Sequence, residues 1–442
     1  MKRLLSPPVI MIASLLTRFG FAMKADFGGD SMRLYEQALL LYEHHQISPV
    51  GAAVVYSGTM LPGALNQLLL GVPLFFSHGS LSGPAYWIAG LNFLSSLLTY
   101  QFYRKLFPQV HTGLLAAFIL FAPWSILFTT AWNPSFLPLL GILFLIALRN
   151  LLQNQKTFIS AAMIGFCIIA CLQLHLSFVL LLLLLLISFG SRMIPSLSRK
   201  QILTLGGGGL LGSAFAGLSL IPYFFYIRAQ SPSSVSGFDF FSKNVEFHLS
   251  QLLSYPAYFF RFLSFSSFEI SRFILRGNGP EGLLLYMKNH GTLSILLVML
   301  ELFSIVMIGA SLRFFVNQKT RQILQHLLKE KKLRSLTPED RLYFLHWATP
   351  LVTGLLFVFS IKNPSAHTYW ILMPMSFYPL INTWNDFSKK KFESWMAGLF
   401  IVLSLLSLKI YLSSDPPTTE DVQRQLQSPR PVAHHILSKS VS

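Results

Sequence analysis

Residues 290–312 read HGTLSILLVMLELFSIVMIGASL, an apolar run with a single charged residue, Glu301. A helix needs about 20 mostly apolar residues to cross a bilayer, so this run is long enough to span one. Inside lipid, every backbone N–H and C=O group must find its partner within the protein. Because the run lacks the alternating pattern of a barrel strand, it predicts a transmembrane α-helix.

The composition of the whole chain agrees with a membrane protein. Of its 442 residues, 53% are hydrophobic and 12% are charged. Soluble domains average about 25% charged residues. The mean hydropathy is +0.55. We therefore predict an all-α polytopic membrane protein.

Apolar runs and charge asymmetry predict the topology. We expect about eleven transmembrane helices, at 4–22, 84–106, 110–129, 136–152, 158–174, 176–190, 201–224, 290–312, 342–361, 368–386 and 394–412. With the N-terminus in the cytoplasm, Lys and Arg collect in the cytoplasmic connections, and the short outer connections 130–135 and 174–176 contain none. This asymmetry accounts for the net charge of +17. We predict no nucleic-acid partner, since no basic stretch is interleaved with base-stacking aromatics.

The domain organisation follows from these spans. Residues 1–412 form one transmembrane domain with long outer loops at 23–83 and 225–289, and the polar tail 413–442 is expected to be disordered. The apolar segment 61–76 is too short for a further span, so it favours a membrane-surface helix or a re-entrant element. The glycine run 206–209 favours close helix packing, because no strand precedes it as in a phosphate-binding loop.

The first outer loop contains the first sizeable polar island, with Asp30 and Arg33 at its start. Asp30 fits two compatible interpretations, a helix N-cap or a general base or orienting carboxylate at a membrane-surface cleft. Arg33 lies one helical turn further on and is either a surface charge or a phosphate partner.

Three further segments on the same side carry polar side chains. Trp132 and Asn133 lie in the turn between the third and fourth spans, His175 follows the fifth, and the segment 362–369 precedes the tenth. An Asn-Pro turn and a histidine at a helix end are common structural features. Because the topology collects these segments at one face, Lys362 and His367, joined by His175, are candidates to bind a lipid phosphate.

Several short motifs together resemble a known family. They are Asp30-Ser31-Met32-Arg33, Ser57-Gly58, Pro62-Gly63, Ala131-Trp132-Asn133-Pro134, Gln173-Leu174-His175 and His367-Thr368-Tyr369. Their order and spacing resemble bacterial GT-C glycosyltransferases, the relatives of protein O-mannosyltransferases and of the lipid A aminoarabinose transferase. The resemblance covers about residues 1–190, with a weaker similarity at 360–375.

The resemblance implies transfer of a sugar from a polyprenyl-phosphate donor to a protein, glycan or lipid acceptor. The reaction would take place on the extracytoplasmic face of a bacterial inner membrane, with the tail 413–442 on that same side. Asp30 matches the essential acidic residue of the family. The expected phosphate-binding residues are Arg33, His175, Lys362, His367 and Tyr369, supported by Trp132, Asn133 and Ser57.

The resemblance leaves the cofactor open. Many relatives have a second acidic residue where this chain has Ser31, and some have an Asp where this chain has Asn133. A neutral amide is a weak ligand, which argues against a divalent cation held by two carboxylates, and we assign no metal ligand.

A transporter or flippase for a lipid-linked or polar substrate is the alternative. An ionisable residue inside the membrane, such as Glu301, commonly marks a substrate or ion path. The sequence shows no internal repeat of the kind that common secondary transporters have.

Overall fold

A computed structural model describes residues 6–26, 28–54, 59–190, 193–194, 198–229, 245–275, 279–330, 333–360, 365–387 and 390–428. Two of the predicted site residues, Ser57 and Lys362, lie outside these ranges.

The described chain is predominantly helical. In its first half the α-helices are α1 (Pro7–Ala22), α2 (Gly29–His44), α3 (Leu65–Phe76), α4 (Ser82–Leu106), α5 (Thr112–Leu120), α6 (Pro123–Leu127), α7 (Leu137–Leu152), α8 (Thr157–Leu174), α9 (Phe178–Gly190), α10 (Arg199–Gly217) and α11 (Ile221–Ala229). In the second half they are α12 (Tyr255–Ser264), α13 (Ser271–Leu275), α14 (Gly279–Asn289), α15 (Gly291–Val316), α16 (Gln318–Glu330), α17 (Pro338–Leu356), α18 (Met373–Phe387), α19 (Lys390–Ser413) and α20 (Thr419–Gln427). Short 3₁₀ turns lie at Asn133–Phe136, Leu218–Leu220, Leu249–Ser254, Leu333–Ser335, Phe357–Phe359 and Ala366–Leu372.

A small β-hairpin lies in the first outer loop. Strands β1 (Val50–Ala53) and β2 (Met60–Pro62) pair antiparallel between α2 and α3. The sequence pattern predicted helices but no strands in this loop. The loop thus consists of two helices flanking a hairpin.

The membrane assignment rests on six helical segments of the described chain that are long and apolar enough to cross a bilayer. They are Asn133–Leu152, Thr157–Leu174, Arg199–Ala229, Gly291–Glu330, Pro338–Phe359 and Trp395–Ser413. Shorter apolar helices lie at Pro7–Ala22, Leu65–Phe76 and Phe178–Phe189. The protein is an all-α membrane protein, as predicted.

The span predicted at 110–129 is not one continuous helix. It breaks between α5 and α6, where Pro123 has no N–H to continue the hydrogen-bond ladder. The freed carbonyl of Leu120 accepts hydrogen bonds from Ser14 Oγ at 2.8 Å and from Nη1 of the fully buried Arg18 at 2.7 Å. Side chains of α1 therefore supply the hydrogen bonds that the Leu120 carbonyl lacks at the helix break, as lipid surroundings require.

One glycine of the run 206–209, Gly208, serves helix packing as predicted, and so does Gly212 one turn beyond it. A methyl group on Gly208 would overlap the backbone carbonyl of Phe158, and one on Gly212 would overlap that of Ala162. Small residues allow the backbones of α8 and α10 to approach closely, which is how helices gain packing energy in lipid.

The prediction of a disordered tail is wrong for residues 413–428. A capping box formed by Thr418 and Asp421 starts α20, and Thr419 and Val422 are each 1% exposed. The backbone N–H of Thr419 donates to Met23 O at 3.3 Å, so the tail docks where α1 ends. The prediction rested on the polar composition of the segment, but one face of this amphipathic helix is buried. Residues 429–442 lie outside the described chain.

Candidate functional site

Four of the predicted site residues lie together at one end of the helical bundle. The ring of His367 lies edge to face with the ring of His175, with centroids 5.4 Å apart. It also lies 4.8 Å from the ring of Trp132. Asn133 Nδ2 donates a hydrogen bond to the carbonyl of Leu174 at 2.6 Å. We call Trp132, Asn133, His175 and His367 the histidine cluster.

The ends of the helices explain why these side chains meet. Helix α8 ends at Leu174, and the last carbonyls of a helix have no partner within it. The Asn133 amide satisfies one of them and ties the turn Asn133–Phe136 to α8. His175 then continues in an extended conformation, with φ −166° and ψ 147°, and leaves the helix axis.

Both histidines are neutral at neutral pH. His175 Nδ1 accepts a hydrogen bond from the backbone N–H of Ser177 at 3.1 Å, which leaves the ring proton on Nε2. Burial lowers the pKa of His175 to about 4. Burial, followed by the charges of His175 and Arg272, lowers the pKa of His367 to about 3. The two rings therefore offer hydrogen bonds rather than positive charge.

Permanent positive charge comes from Arg261 on α12 and Arg272 on α13, which flank the loop 265–270. Arg272 lies close enough to influence the protonation of His367. The buried Tyr369 interacts electrostatically with Arg261, Arg272 and Glu269. Arg261, Glu269 and Arg272 were not predicted from the sequence as site residues. Their only signal was the presence of arginines in an aromatic-rich outer loop.

This loop is firmly held against the bundle. Arg261 forms an ion pair with Glu269 and lies over the ring of Trp124, 5.4 Å from its centroid. Trp124 Nε1 donates to the carbonyl of Glu269 at 2.7 Å. Glu301 Oε1 accepts the backbone N–H groups of Ile270 at 3.2 Å and Ser271 at 3.0 Å. Glu301 thus has a structural role in positioning α13.

Aromatic rings form a layer around the histidine cluster. Phe128 stacks on Trp132 with ring centroids 5.5 Å apart and contacts Trp370 at 3.6 Å. Trp370 in turn lies 5.3 Å from Trp124. Buried aromatic side chains contribute large apolar areas and fix one another's orientation. The cluster therefore rests on a rigid support.

Asp30 and Arg33 lie on α2, in the first outer loop. Helix α2 starts after Gly28, whose φ is +59°, so Gly28 occupies the N-cap and the N-cap prediction for Asp30 is wrong. Asp30 lies in the first turn, where the helix dipole stabilises a negative charge. Both side chains are exposed, and among the described residues no hydrogen bond or ion pair joins either of them to the histidine cluster.

A series of contacts nevertheless connects α2 to α8. Gln37 Nε2 donates to the carbonyl of Gly51 in the hairpin at 3.3 Å. The hairpin packs on Gln173, and any side chain on Gly63 would overlap the Gln173 amide. Gln173 also binds α10 and the turn after it, donating from Nε2 to Ala216 O at 3.0 Å and accepting from Ser219 Oγ at 2.7 Å. The hairpin therefore meets α8 two residues before His175.

Within the described residues, no three His, Cys, Asp or Glu side chains lie close enough together to hold a metal ion. Neither a known protein-family model nor a curated protein sequence matches the chain.

Proposed function

We propose that the protein is a membrane glycosyltransferase of the GT-C type, which uses a polyprenyl-phosphate sugar as its donor. The observation that carries the proposal is the histidine cluster, in which residues from three separate outer segments meet beside Arg272. Hydrogen-bond donors and a cation at one helical end suit a phosphate that gains charge as it leaves.

We further propose eleven crossings, formed by α1, α4, α5 with α6, α7, α8, α9, α10 with α11, α15, α17, α18 and α19. Contacts at both faces support this count. At the proposed outer face, Thr419 contacts Met23 and His367 contacts His175. At the opposite face, Gln201 Nε2 donates to Asn154 Oδ1 at 2.9 Å, and Arg341 Nη1 donates to Met193 O at 2.7 Å.

In the proposed reaction, an acceptor hydroxyl attacks the anomeric carbon of the donor. A new bond forms between that oxygen and the carbon, and the bond to the phosphate oxygen breaks with its electron pair leaving on the phosphate. The Asp30 carboxylate accepts the hydroxyl proton or orients the hydroxyl. Attack from the opposite side inverts the anomeric centre.

The leaving phosphate is bound by the neutral rings and the cation beside them. His175 offers its Nε2 proton, and Arg272 supplies the permanent charge. Charge-assisted hydrogen bonds are about twice as strong as neutral ones, so Arg272 contributes most. Tyr369 interacts electrostatically with Arg272. Lys362 and Arg33 remain predicted phosphate-binding residues.

One observation favours the transporter alternative. A broken helix with a buried charge, here α5–α6 with Arg18, is a feature of many transporter substrate sites. The adjacent polar cavity, lined in part by Asn92, Ser96 and Ser125, has a volume of about 10 Å³. That volume holds one water molecule, which is far too small for a sugar or a lipid headgroup. This cavity is therefore too small to be the substrate site of such a transporter.

The proposal is tested by comparing the glycans and lipids of cells with and without the gene, and of null cells that express variants. Null cells that express Asp30→Asn are expected to have the same glycans and lipids as null cells, although the variant still inserts into the membrane. Glu43→Gln, at the other end of the same helix, is the matched control and is expected to restore the wild-type pattern. Full activity of Asp30→Asn would remove Asp30 from the mechanism.

The topology is tested by labelling single cysteines with a membrane-impermeant maleimide. Cysteines at positions 30 and 367 are expected to react from the extracytoplasmic side of intact cells. The partly buried position 367 would react more slowly. A cytoplasmic location of either position would contradict the eleven-crossing arrangement.

A further inference from the structure

A groove between the outer ends of α1 and α19 contains two lysines that the proposed reaction does not use. Both helices pack against α5 and leave a groove of about 300 Å³ between them. Its lining is mostly apolar, and Lys24 and Lys409 complete it; the apolar members include Phe21, Leu405, Leu408 and Leu412.

The spacing of these residues makes the groove continuous along both helices. Leu405 and Lys409 are four residues apart on α19, and so lie on one face of that helix. Lys24 lies two residues after the end of α1, beyond the groove residue Phe21. On α19, Lys409 lies one turn before Leu412, near the same end of the groove.

Among the described residues, neither lysine has an acidic partner. Both side chains are exposed, and none of the ion pairs formed by the described residues includes Lys24 or Lys409. In the proposed topology they lie at the outer face, where the short connections 130–135 and 174–176 contain no Lys or Arg. Two cations at this face therefore run against the usual charge bias of membrane proteins.

We infer that this groove binds an anionic phospholipid, with an acyl chain along the apolar residues and the phosphate between Lys24 and Lys409. Long lysine side chains at helix ends reach the headgroup level in this way. The inference does not rest on the glycosyltransferase proposal, because it requires only a bilayer around the helices.

The strength of the site favours an abundant phospholipid over a scarce polyprenyl phosphate. A lysine near the membrane surface gives about fivefold preference for an anionic lipid, so two give about thirtyfold. That preference suffices to select a lipid present at a substantial fraction of the bilayer. It does not suffice to extract a trace lipid, for which an enclosed site is required.

Such a lipid would bridge two helices that meet at the start of the first outer loop. Helix α1 ends at Ala22, directly before Met23, which accepts a hydrogen bond from Thr419 of the docked tail. Lipid bound between α1 and α19 would therefore stabilise the base of the loop that bears Asp30.

The test uses the full chain in nanodiscs of phosphatidylcholine, with phosphatidylglycerol added in increasing proportion. Lipid retained by the protein is measured by native mass spectrometry, together with the melting temperature. We expect about thirtyfold enrichment of phosphatidylglycerol and a melting temperature that rises with it. Lys24→Gln/Lys409→Gln is expected to lose most of that enrichment, each single variant about fivefold.

Two controls keep the test decisive. Lys288→Gln removes an exposed lysine from α14 and is expected to leave enrichment unchanged. Lys24→Arg/Lys409→Arg preserves both charges and is expected to retain the lipid. Undiminished enrichment in the double glutamine variant would overturn the inference. Displacement of phosphatidylglycerol by trace decaprenyl phosphate, but not by decaprenol, would overturn it in favour of the polyprenyl lipid.

Discussion

His175 and His367 face each other edge to ring face, with centroids 5.4 Å apart, although they follow different helices distant in the sequence. Burial keeps both rings neutral, and each ring would disfavour a positive charge on the other. Protonation of either ring would therefore weaken the packing between the two outer segments that contain them.

The first prediction concerns stability at low pH. Both histidines have a lower pKa in the folded chain than the ordinary value of 6.5, so the unfolded chain binds more protons between pH 6.5 and about 4. Stability is therefore full above pH 6.5 and falls as the pH drops through that range. Allowing for partial exposure, we expect a loss of about 1–3 kcal/mol.

The measurement is a melting-temperature profile from pH 8 to pH 4 in nanodiscs. His367→Gln removes one titrating ring while keeping a hydrogen-bonding group, and it is expected to flatten the profile. His78→Gln, a histidine outside the cluster, is expected to keep the wild-type slope. Identical slopes for the two variants would contradict a role for His367 in the loss of stability at low pH.

The second prediction concerns Arg272 as a phosphate-binding residue. Loss of a hydrogen bond to a charged group costs about 1.5–3 kcal/mol, so Arg272→Gln should weaken the binding of decaprenyl phosphate by about 10- to 100-fold. Binding is measured by thermal shift against a titration of the lipid, with decaprenol as the uncharged comparison. Arg228→Gln, an exposed arginine at the end of α11, is the control. An equal loss in both variants would indicate only a general effect of surface charge.

The third prediction concerns the docked C-terminal helix. Val422 is 1% exposed, and a charge buried at that position is strongly unfavourable. Val422→Asp should release α20, with hydrogen exchange of residues 415–428 rising at least about tenfold. Gln425→Asp places the same charge on an exposed position of the same helix, so its exchange should stay slow. Slow exchange in Val422→Asp would show that the packing of Val422 does not hold the tail.

The fourth prediction concerns the contact between α8 and α10. A side chain at Gly212 overlaps the backbone of Ala162, whereas Gly206 has open space around its Cα. Gly212→Leu should therefore lower the free energy of unfolding by at least about 1–3 kcal/mol. Gly206→Leu should be neutral or slightly stabilising, because leucine has the higher helix propensity. Unfolding in mixed detergent, followed by circular dichroism, separates the two outcomes.

Particular elements show how far the sequence alone predicts the fold. The run 290–312 predicted the helix that the structure places at Gly291–Val316, since length and apolarity alone decide whether a segment crosses lipid. The break at Pro123 was missed, because the apolar pattern continues through it. The hairpin was missed because its few ladder bonds depend on packing against Gln173.

The candidate site, like the fold, was predicted only in part from the sequence. The sequence placed Trp132, Asn133, His175 and His367 on one face, because each follows a predictable helix end. It did not identify Arg272, whose relevance depends on how Glu301 and Trp124 hold its loop. The exposure of a side chain and the charges near it depend on the folded chain, so the sequence alone does not reveal them.

The sequence by itself determined the membrane class, most helix positions and the small residues that allow helices to pack. These follow from hydrophobicity and residue size, which act locally along the chain. Only the tertiary structure decided that α20 docks, that the two histidines meet as neutral rings, and that no hydrogen bond or ion pair among the described residues joins Asp30 to them. Those outcomes depend on burial and on contacts between residues far apart in sequence, which periodicity does not encode.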